Sequence, residues 1–430
     1  MKNVSKFLFG FLAILAFSCD DNSTDNQPQP VTKAEAELKG SITTNTTLKA
    51  NTVYTLSGFV YVEDGATLTI EPGTIIKGGP KAGKGTLIIK RGAKIMAAGT
   101  KEKPIIFTSS QPKGSRAPGD WGGIVITGKA RHNQASDPVI EGGPDARYGG
   151  ANDDDNSGVL KYVRIEFAGV ALEQDKEING LTMGAVGAGT QIDYVQVSYG
   201  GDDAFEWFGG TVSPKHLIAY KTTDDMFDTD FGFTGKVQYA LGVSDPNLSD
   251  LAGASNGFES DNDAAGSTNQ PLTTAAFSNV TLIGPINPAA GQKFGQGAHL
   301  RKGTSLSMYN TVITGWAKAI TLDGTSSEGY ATSGSLNAKN TVVVGTVGKT
   351  SSSAFDANAW FTTAAFNNQV KNHEELGLGT AAPFLPAAGS MLLTGGANVA
   401  GFENTTFRGA FGNTNWAEGW TNFDPQNTDY

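Results

Sequence analysis

Short runs of β-branched and other apolar residues, each followed by a turn residue, recur along the chain. Two such runs, Thr67–Ile70 and Thr86–Ile89, are followed after the same interval by Gly73 and Gly92. Runs of this length and composition are typical of β-strands. Helical patterns of about 10–15 residues do not separate them, so a βαβ sheet is not expected. The pattern predicts an all-β protein.

The strand segments belong to repeats of unequal length. Residues 67–76 recur at 86–95 with an offset of 19, and residues 162–169 recur at 194–201 with an offset of 32. A third set starts at asparagines 31 and 30 residues apart, each followed five residues later by a glycine: Asn279, Asn310 and Asn340. Such repeats can stack in one dimension when the extra residues form loops. They favour a β-solenoid, with the asparagines as a ladder at one corner, over a β-propeller, which has a steadier period of about 40–50 residues.

The composition agrees with many strands and tight turns. Glycine contributes 56 of the 430 residues, and charged residues contribute 17%. These values exclude collagen, which needs glycine at every third position, and a charge-rich disordered chain. The formal net charge is −10 and the sequence has no basic patch, so we expect cations rather than nucleic acid as partners.

The N-terminus has the features of a bacterial lipoprotein signal. A short basic stretch precedes an apolar run over residues 7–17, and Ser18 leads into Cys19, the single cysteine. The run suits the core of a signal peptide and is too short for a membrane-spanning helix. We predict a signal peptide over 1–18, lipidation of Cys19, and a flexible tether over 19–38. An ordinary signal peptide with an incidental cysteine is the alternative.

Several motifs resemble those of right-handed parallel β-helix surface lipoproteins of Bacteroidetes-type bacteria. They are GATLTIEPGT at 65–74, GDWGG at 119–123, RGAF at 408–411 and NWAEGW at 415–420. The resemblance implies a pectin-lyase-like fold over 39–430, without an established activity. The acidic residues after Cys19 resemble a surface-export signal, which implies a lipid anchor in the outer membrane, facing the cell exterior. Aromatic residues of the last segment are expected to cap the open end of the solenoid: Trp416, Trp420, Phe423 and Tyr430.

Three pairs of acidic residues fall into register if adjacent coils stack. Segments centred on Val195 and Leu217 lie 22 residues apart, and acidic residues follow each centre after seven, eight and eleven residues. The pairs are Asp202 with Asp224, Asp203 with Asp225, and Glu206 with Asp228. Stacked strands lie about 4.8 Å apart, where like charges repel, so the corner invites a hard cation such as Ca²⁺.

The expected metal ligands are Asp202, Asp203, Asp224, Asp225 and Asp230, with the stretch at 259–263 as a source of further oxygen ligands. A solvated acidic corner, or a register slipped by one residue, is the alternative. Aromatic side chains beside carboxylates are also common in sugar-binding surfaces. We therefore expect Glu206 and Asp228 to bind a ligand beside an exposed Trp207, with Phe205 and Phe227 in the core.

Three functions follow as hypotheses. The leading one is a surface lipoprotein that binds a glycan, with Ca²⁺, at the acidic corner. A Ca²⁺-dependent polysaccharide lyase or glycoside hydrolase would use Asp203 and Asp225 with Arg301 as the basic partner, by analogy with pectate lyases and polygalacturonase-type hydrolases. Nothing in the sequence places Arg301 or the nearby His299 on the same face. The third hypothesis is a structural or docking role beside an outer-membrane transporter.

Overall fold

The chain folds into a parallel β-helix with three rows of strands. The computed structural model describes residues 33–79, 85–173 and 176–430. Within them, consecutive coils pair in parallel and in register from one end of the stack to the other. This confirms the predicted β-helix and excludes the β-propeller. The predicted signal peptide, Cys19 and most of the predicted tether lie outside the described residues.

The long strands each contribute to two rows. They are β1 (Ala34–Ile42), β3 (Thr52–Val62), β10 (Gly158–Glu166), β14 (Gln191–Ser198), β16 (Lys215–Tyr220), β18 (Lys236–Val243) and β20 (Ala276–Ile283). The first row also contains β2 (Thr46–Leu48), β4 (Thr67–Ile70), β7 (Lys94–Ala98), β22 (Ser307–Tyr309) and β25 (Asn337–Lys339). The second row also contains β5 (Ile75–Gly78), β8 (Ile105–Ser109), β23 (Val312–Thr314), β26 (Val342–Val343) and β28 (Gln369–Val370).

The third row carries the acidic residues and is built mainly from short strands. They are β6 (Thr86–Ile89), β9 (Gly123–Thr127), β13 (Leu181–Gly184), β15 (Phe205–Phe208), β17 (Phe227–Asp230), β19 (Phe258–Ser260), β21 (Ala298–Leu300), β24 (Lys318–Leu322) and β27 (Thr346–Lys349). A separate antiparallel pair is formed by β11 (Ala171–Glu173) and β12 (Lys176–Glu177). The helices are α1 (Thr325–Ser333) and α2 (Ala357–Phe361). No helix in the described ranges combines the length and apolar character needed to cross a membrane.

Stacked apolar side chains fill the space between the three rows. Phe205 stacks on Phe227 with ring centroids 5.6 Å apart, and Phe227 packs on Phe258 at 5.7 Å. All three rings are fully buried, as expected for the inward-facing positions of strands in which side chains alternate between two faces. The phenylalanine column therefore holds β15, β17 and β19 in one register and fixes which residues point outward.

One corner of the helix carries a column of residues in the left-handed backbone region. From coil to coil it contains Tyr162, Tyr194, His216, Tyr239, Asn279, Asn310 and Asn340, with φ between 49° and 62°. This confirms that the asparagines share a corner. Their side chains do not bond mainly to one another, however, because Asn279 Nδ2 donates to the carbonyl of Phe407 and Asn310 Nδ2 to that of Ala397.

The C-terminal residues 391–430, here called the C-terminal strap, run along the side of the β-helix. Asn310, just before β23, contacts Ala397, and Tyr430 Oη donates at 2.6 Å to Glu166 Oε1 at the end of β10. The strands β14, β16, β18 and β20 lie between β10 and β23 in the stack. The prediction of a C-terminal aromatic cap was therefore wrong in position. The last coils are instead covered by α2, whose Trp360 and Phe361 join the core. Aromatic edges of the corner column attract the strap, since Trp420 packs edge-on against Tyr162.

The first strand begins earlier than the sequence suggested. β1 starts at Ala34, within the predicted tether over 19–38. Its residues are mostly exposed, and among the residues that the structure describes it pairs with β3 alone. Because the sequence of β1 is polar and charged, it was not predicted to form a strand. Charged side chains are nevertheless common on edge strands, where they oppose aggregation.

Candidate functional site

The predicted register of the acidic residues is confirmed. In the parallel pair β15–β17, Phe205 lies opposite Phe227 and Glu206 opposite Asp228. The next pairs extend this outward-facing line through Glu259 to His299. Five consecutive positions of the third row, starting with Thr182, thus present polar side chains on the outside.

The acidic residues in the turns before these strands bind the backbone of the next coil. Asp203 Oδ1 accepts a hydrogen bond from the N–H of Asp225 at 2.8 Å, and Asp225 Oδ1 accepts one from the N–H of Asn256 at 2.5 Å. The amide oxygen of Asn256 in turn accepts from the N–H of Gln296 at 2.8 Å. Asp203 and Asp225 are only 7% and 4% exposed, so this ladder is part of the fold as well as of the site.

Three overlapping groups of carboxylates lie close enough to share cations. Within each group one ligand atom per residue lies within 4.8 Å of the others: Asp202, Asp203 and Asp224; Asp203, Glu206 and Asp228; Asp225, Asp228 and Glu259. Asp228 belongs to two of them, and its Oδ1 is buried without a hydrogen-bond partner among the described residues. A buried, unpaired carboxylate oxygen is costly unless a positive charge faces it.

Burial and mutual repulsion shift the titration of these acids. The pKa values of Asp203, Glu206, Asp225 and Asp228 lie well above their usual range, first because burial penalises the charged form and then because other carboxylates are near. Burial also raises the pKa of Asp230 to about 7. Asp230 Oδ1 accepts from the N–H of Phe231 at 2.6 Å, and Asp230 lies outside the three groups.

Two basic side chains, Arg301 and His299, contact the acids of the site. Arg301 contacts Glu259 at 2.5 Å and Asp261 at 2.7 Å. Burial alone would lower the pKa of Arg301, but its hydrogen bond to Asp261 and the charge of Glu259 outweigh burial and raise it. The structure thus places Arg301 on the same face as the acids, which the sequence could not show.

His299 lies between two carboxylates. Its Nδ1 is 3.6 Å from Glu259 Oε2, and its Nε2 is 3.0 Å from Asp323 Oδ2. Burial lowers the pKa of His299, but the two facing carboxylates raise it by more. The pairing of β19 with β21 explains the contact, because it sets Glu259 directly opposite His299.

A groove of about 650 Å³, here called the acidic groove, is lined by Asp225, Glu259, His299 and Arg301 among others. Its walls are formed by Asp224, Asp225, Gly253, Ala254, Asn256, Glu259, Phe294, Gly295, Gln296, His299, Arg301, Ala317 and Lys318. Sequence reasoning missed Asn256, Phe294, Gln296 and Lys318. Glu259 belongs to the stretch expected to supply further ligands, and Phe258-Glu259 repeats the aromatic–acid order of Phe205-Glu206.

The expectation that Trp207 is exposed was wrong. Trp207 is fully buried and stacks on Phe233 with ring centroids 5.3 Å apart. In β15 the side chains alternate, so Phe205 and Trp207 point into the core while Glu206 points outward. No sugar can stack on Trp207 in this position. Phe294, which is half-buried, is the aromatic side chain that lines the groove.

The fold and this outer acidic row define a solenoid protein of the pectate-lyase-like class. Residues 40–421 match the family model described as pectate-lyase like beta helix domain. The match covers most of the chain, so the protein belongs to this family, as the sequence motifs suggested. No significant match was found among the curated proteins or the solved structures.

Proposed function

We propose that the acidic groove binds Ca²⁺ and, together with the cation, an acidic glycan. The observation that carries the proposal is the buried, unpartnered Oδ1 of Asp228, which forms one carboxylate group with the groove residues Asp225 and Glu259. An ionised carboxylate in that position needs a counter-charge, and the basic side chains Arg301 and Lys302 bind Glu259 and Asp261 instead. Ca²⁺ accepts six to eight oxygen ligands in flexible geometry. The carboxylates would supply part of that shell, and water or ligand oxygens the rest.

The groove has the size and the polar groups of a ligand site. Its volume of about 650 Å³ lies within the usual range for small-molecule sites. Asn256, Gln296 and Lys318 offer hydrogen-bonding groups, and Phe294 offers an apolar surface. A glycan with carboxylate groups would match both the bound cation and Arg301. The family, named for its likeness to pectate lyases, supports a polysaccharide as the ligand class.

A catalytic role for the same groove is supported by His299 and Asp225 but not by the other candidates. Both line the groove, and His299 is held by Glu259 and Asp323 as an oriented acid or base would be. Asp203 is buried outside the groove lining. Arg301 is a poor base because its carboxylate partners raise its pKa. A Ca²⁺-dependent lyase or hydrolase is therefore the second candidate function.

The cellular setting of this proposal comes from the sequence. We propose that Cys19 carries a lipid that anchors the chain in the outer membrane, facing outward and within reach of an outer-membrane transporter. Labelling with a radioactive fatty acid tests the anchor. Wild-type chain should be labelled and the Cys19→Ser variant should not, and labelling of both would contradict the assignment.

Isothermal titration with Ca²⁺, followed by a panel of neutral and uronate-containing oligosaccharides with and without EDTA, tests the groove. We expect Ca²⁺ binding, and glycan binding that EDTA abolishes. The Asp225→Asn/Asp228→Asn variant should lose both. Asp145→Asn is the matched control, since Asp145 is an exposed acid outside the groove. Release of shortened or unsaturated products from the bound glycan would instead support the catalytic function.

A further inference from the structure

Glu259 takes part in two arrangements at once. It forms one carboxylate group with Asp225 and Asp228, with ligand atoms within 4.8 Å of one another. Its Oε1 also lies 2.5 Å from Arg301 Nη2, and its Oε2 accepts from Asn256 Nδ2 at 3.3 Å. The same carboxylate is therefore both a candidate cation ligand and the partner of a guanidinium.

A divalent cation and Arg301 compete for this carboxylate. Two positive charges on one carboxylate repel each other strongly in a partly buried site. Arg301 can give up Glu259 without losing its only partner, because its Nε donates to Asp261 Oδ1 at 2.7 Å and its Nη2 to Asp261 Oδ2 at 3.1 Å. Glu259 and Arg301 both line the acidic groove, so a released guanidinium remains beside a bound ligand.

We propose that Glu259 couples the two ligands of the acidic groove. In the cation-free protein Glu259 holds Arg301. When a divalent cation binds at Asp225, Asp228 and Glu259, Arg301 is released from Glu259 and binds an anionic group of the second ligand. Cation and anion then bind with positive cooperativity, and linkage requires that each strengthens the other by the same factor. This inference rests on the cation site of the proposed function.

The competition between Arg301 and the cation can be tested with Ca²⁺ as the only added ligand. The test is whether the Arg301→Gln substitution raises or lowers Ca²⁺ affinity. Arg301→Gln in the otherwise intact protein should tighten Ca²⁺ binding by about 5-fold or more, because the competing cation is gone. Arg131→Gln is the matched control: Arg131 forms an exposed ion pair with Asp153 away from the groove, and its loss should change Ca²⁺ affinity less than about twofold. If Arg301→Gln leaves Ca²⁺ binding unchanged or weakens it, Glu259 is not shared in this way.

The second measurement uses D-glucuronate as the anionic probe. Titrations of wild-type protein should show tighter glucuronate binding with Ca²⁺, and tighter Ca²⁺ binding with glucuronate, by one common factor of about 5 or more. In Glu259→Gln, Arg301 is free of Glu259 from the start. This variant should bind glucuronate without Ca²⁺, and added Ca²⁺ should no longer help.

The outcomes separate this inference from the proposed function. If wild-type protein binds no Ca²⁺, both fail. If it binds Ca²⁺ and glucuronate independently of each other, the cation site stands and the coupling through Glu259 is wrong. Cooperative binding that persists in Glu259→Gln would also overturn the coupling, because some other residue would then transmit it.

Discussion

The backbone N–H of Asp225 donates a hydrogen bond of 2.8 Å to the side-chain Oδ1 of Asp203. The carboxylates of these two residues repel each other, but this hydrogen bond holds their coils together. The same contact recurs one coil later between Asp225 and Asn256. One carboxylate oxygen of each aspartate thus serves the stacking of coils. This double role explains why charged residues occupy a buried turn, and it lets the two roles be separated by mutation.

Asp203→Asn should keep the fold and weaken the thermal response to Ca²⁺. The amide oxygen can still accept from the N–H of Asp225, while the charge that repels the neighbouring acids is removed. In EDTA the melting temperature should therefore be equal to or higher than that of wild type. Added Ca²⁺ should raise the melting temperature of wild type by more than that of the variant.

Asp203→Ala provides the contrast. It removes the acceptor, so the buried N–H of Asp225 loses this hydrogen bond. The free energy of unfolding should fall by about 1–3 kcal/mol. Differential scanning fluorimetry with Ca²⁺ and with EDTA measures both variants. An equal loss of stability in the asparagine and alanine variants would show that the charge, and not the hydrogen bond, stabilises this turn.

The stability of the Ca²⁺-free protein should fall as the pH rises between about 4 and about 7. Unfolded aspartate has a pKa near 3.9. In the folded chain the pKa values of Asp203, Asp225 and Asp228 are well above that value, and that of Asp230 is about 7. Between the two values the folded chain holds protons that the unfolded chain has lost, so the free energy of unfolding decreases with rising pH.

Melting temperatures across this range, in EDTA, measure the effect. The Asp203→Asn/Asp225→Asn/Asp228→Asn variant isolates the contribution of these three aspartates, because Asp230 and the other carboxyl groups titrate in both proteins. The difference between variant and wild type should grow with pH, and Ca²⁺ should reduce it by stabilising wild type. Ca²⁺ binding should also release protons near neutral pH, seen as a buffer-dependent heat. A pH-independent difference would mean that the acids are ionised throughout.

The register of the acidic residues could be predicted from the sequence. The positions of the basic residues of the site could not. Repeats 22 residues apart, with aromatic and acidic residues at matching positions, were enough to set Glu206 opposite Asp228. Arg301 and His299 follow a loop of irregular length after Glu259, so no repeat offset reaches them. Their position depends on the parallel pairing of β19 with β21, which only the structure provides.

Two errors at the sequence level have simple physical causes. Trp207 was expected on the outside because aromatic side chains beside carboxylates are common in sugar-binding surfaces, although strand alternation puts it on the same side as Phe205. The aromatic residues at the C-terminus were placed on the open end because exposed edges need a cover. The chain instead meets that need with α2, and it uses the C-terminal aromatics along the side, where the column of Tyr162, Tyr194 and His216 offers ring edges.

Trp207→Ala should destabilise the protein without acting directly on the groove. The ring is fully buried between Phe205 and Phe233, and such a truncation costs about 3–5 kcal/mol. Trp207→Phe should cost less, because it also removes a buried indole N–H that has no hydrogen-bond partner.

Phe294→Ala should do the reverse and weaken glycan binding at a smaller cost in stability. Denaturant unfolding of all three variants measures the loss of stability, and glycan titration measures the loss of binding. Lost glycan binding in a folded Trp207→Phe protein would restore a role in binding to the tryptophan.

Asn310 should determine how firmly the C-terminal strap is held. Its amide makes two hydrogen bonds with Ala397, donating to the carbonyl and accepting from the N–H, each at 2.9 Å. Its φ of 49° also requires a residue that tolerates the left-handed region. Asn310→Gly keeps that backbone and removes only the amide, so hydrogen exchange should accelerate over 391–430 while the strands keep their protection.

Two further variants separate the amide from the backbone. Asn310→Ala should loosen the strap equally and cost a further 1–2 kcal/mol or so, because alanine is strained at this φ. Asn340→Gly is the matched control: Asn340 occupies the same corner with a φ of 54°, but its side chain accepts from Asn367 rather than from the strap. It should leave exchange over 391–430 unchanged. Equal acceleration in Asn310→Gly and Asn340→Gly would show that the strap depends on the corner as a whole. No acceleration in either would assign its hold to the other contacts of the strap, which include the rings of Trp416 and Trp420 and the hydrogen bond from Tyr430 to Glu166.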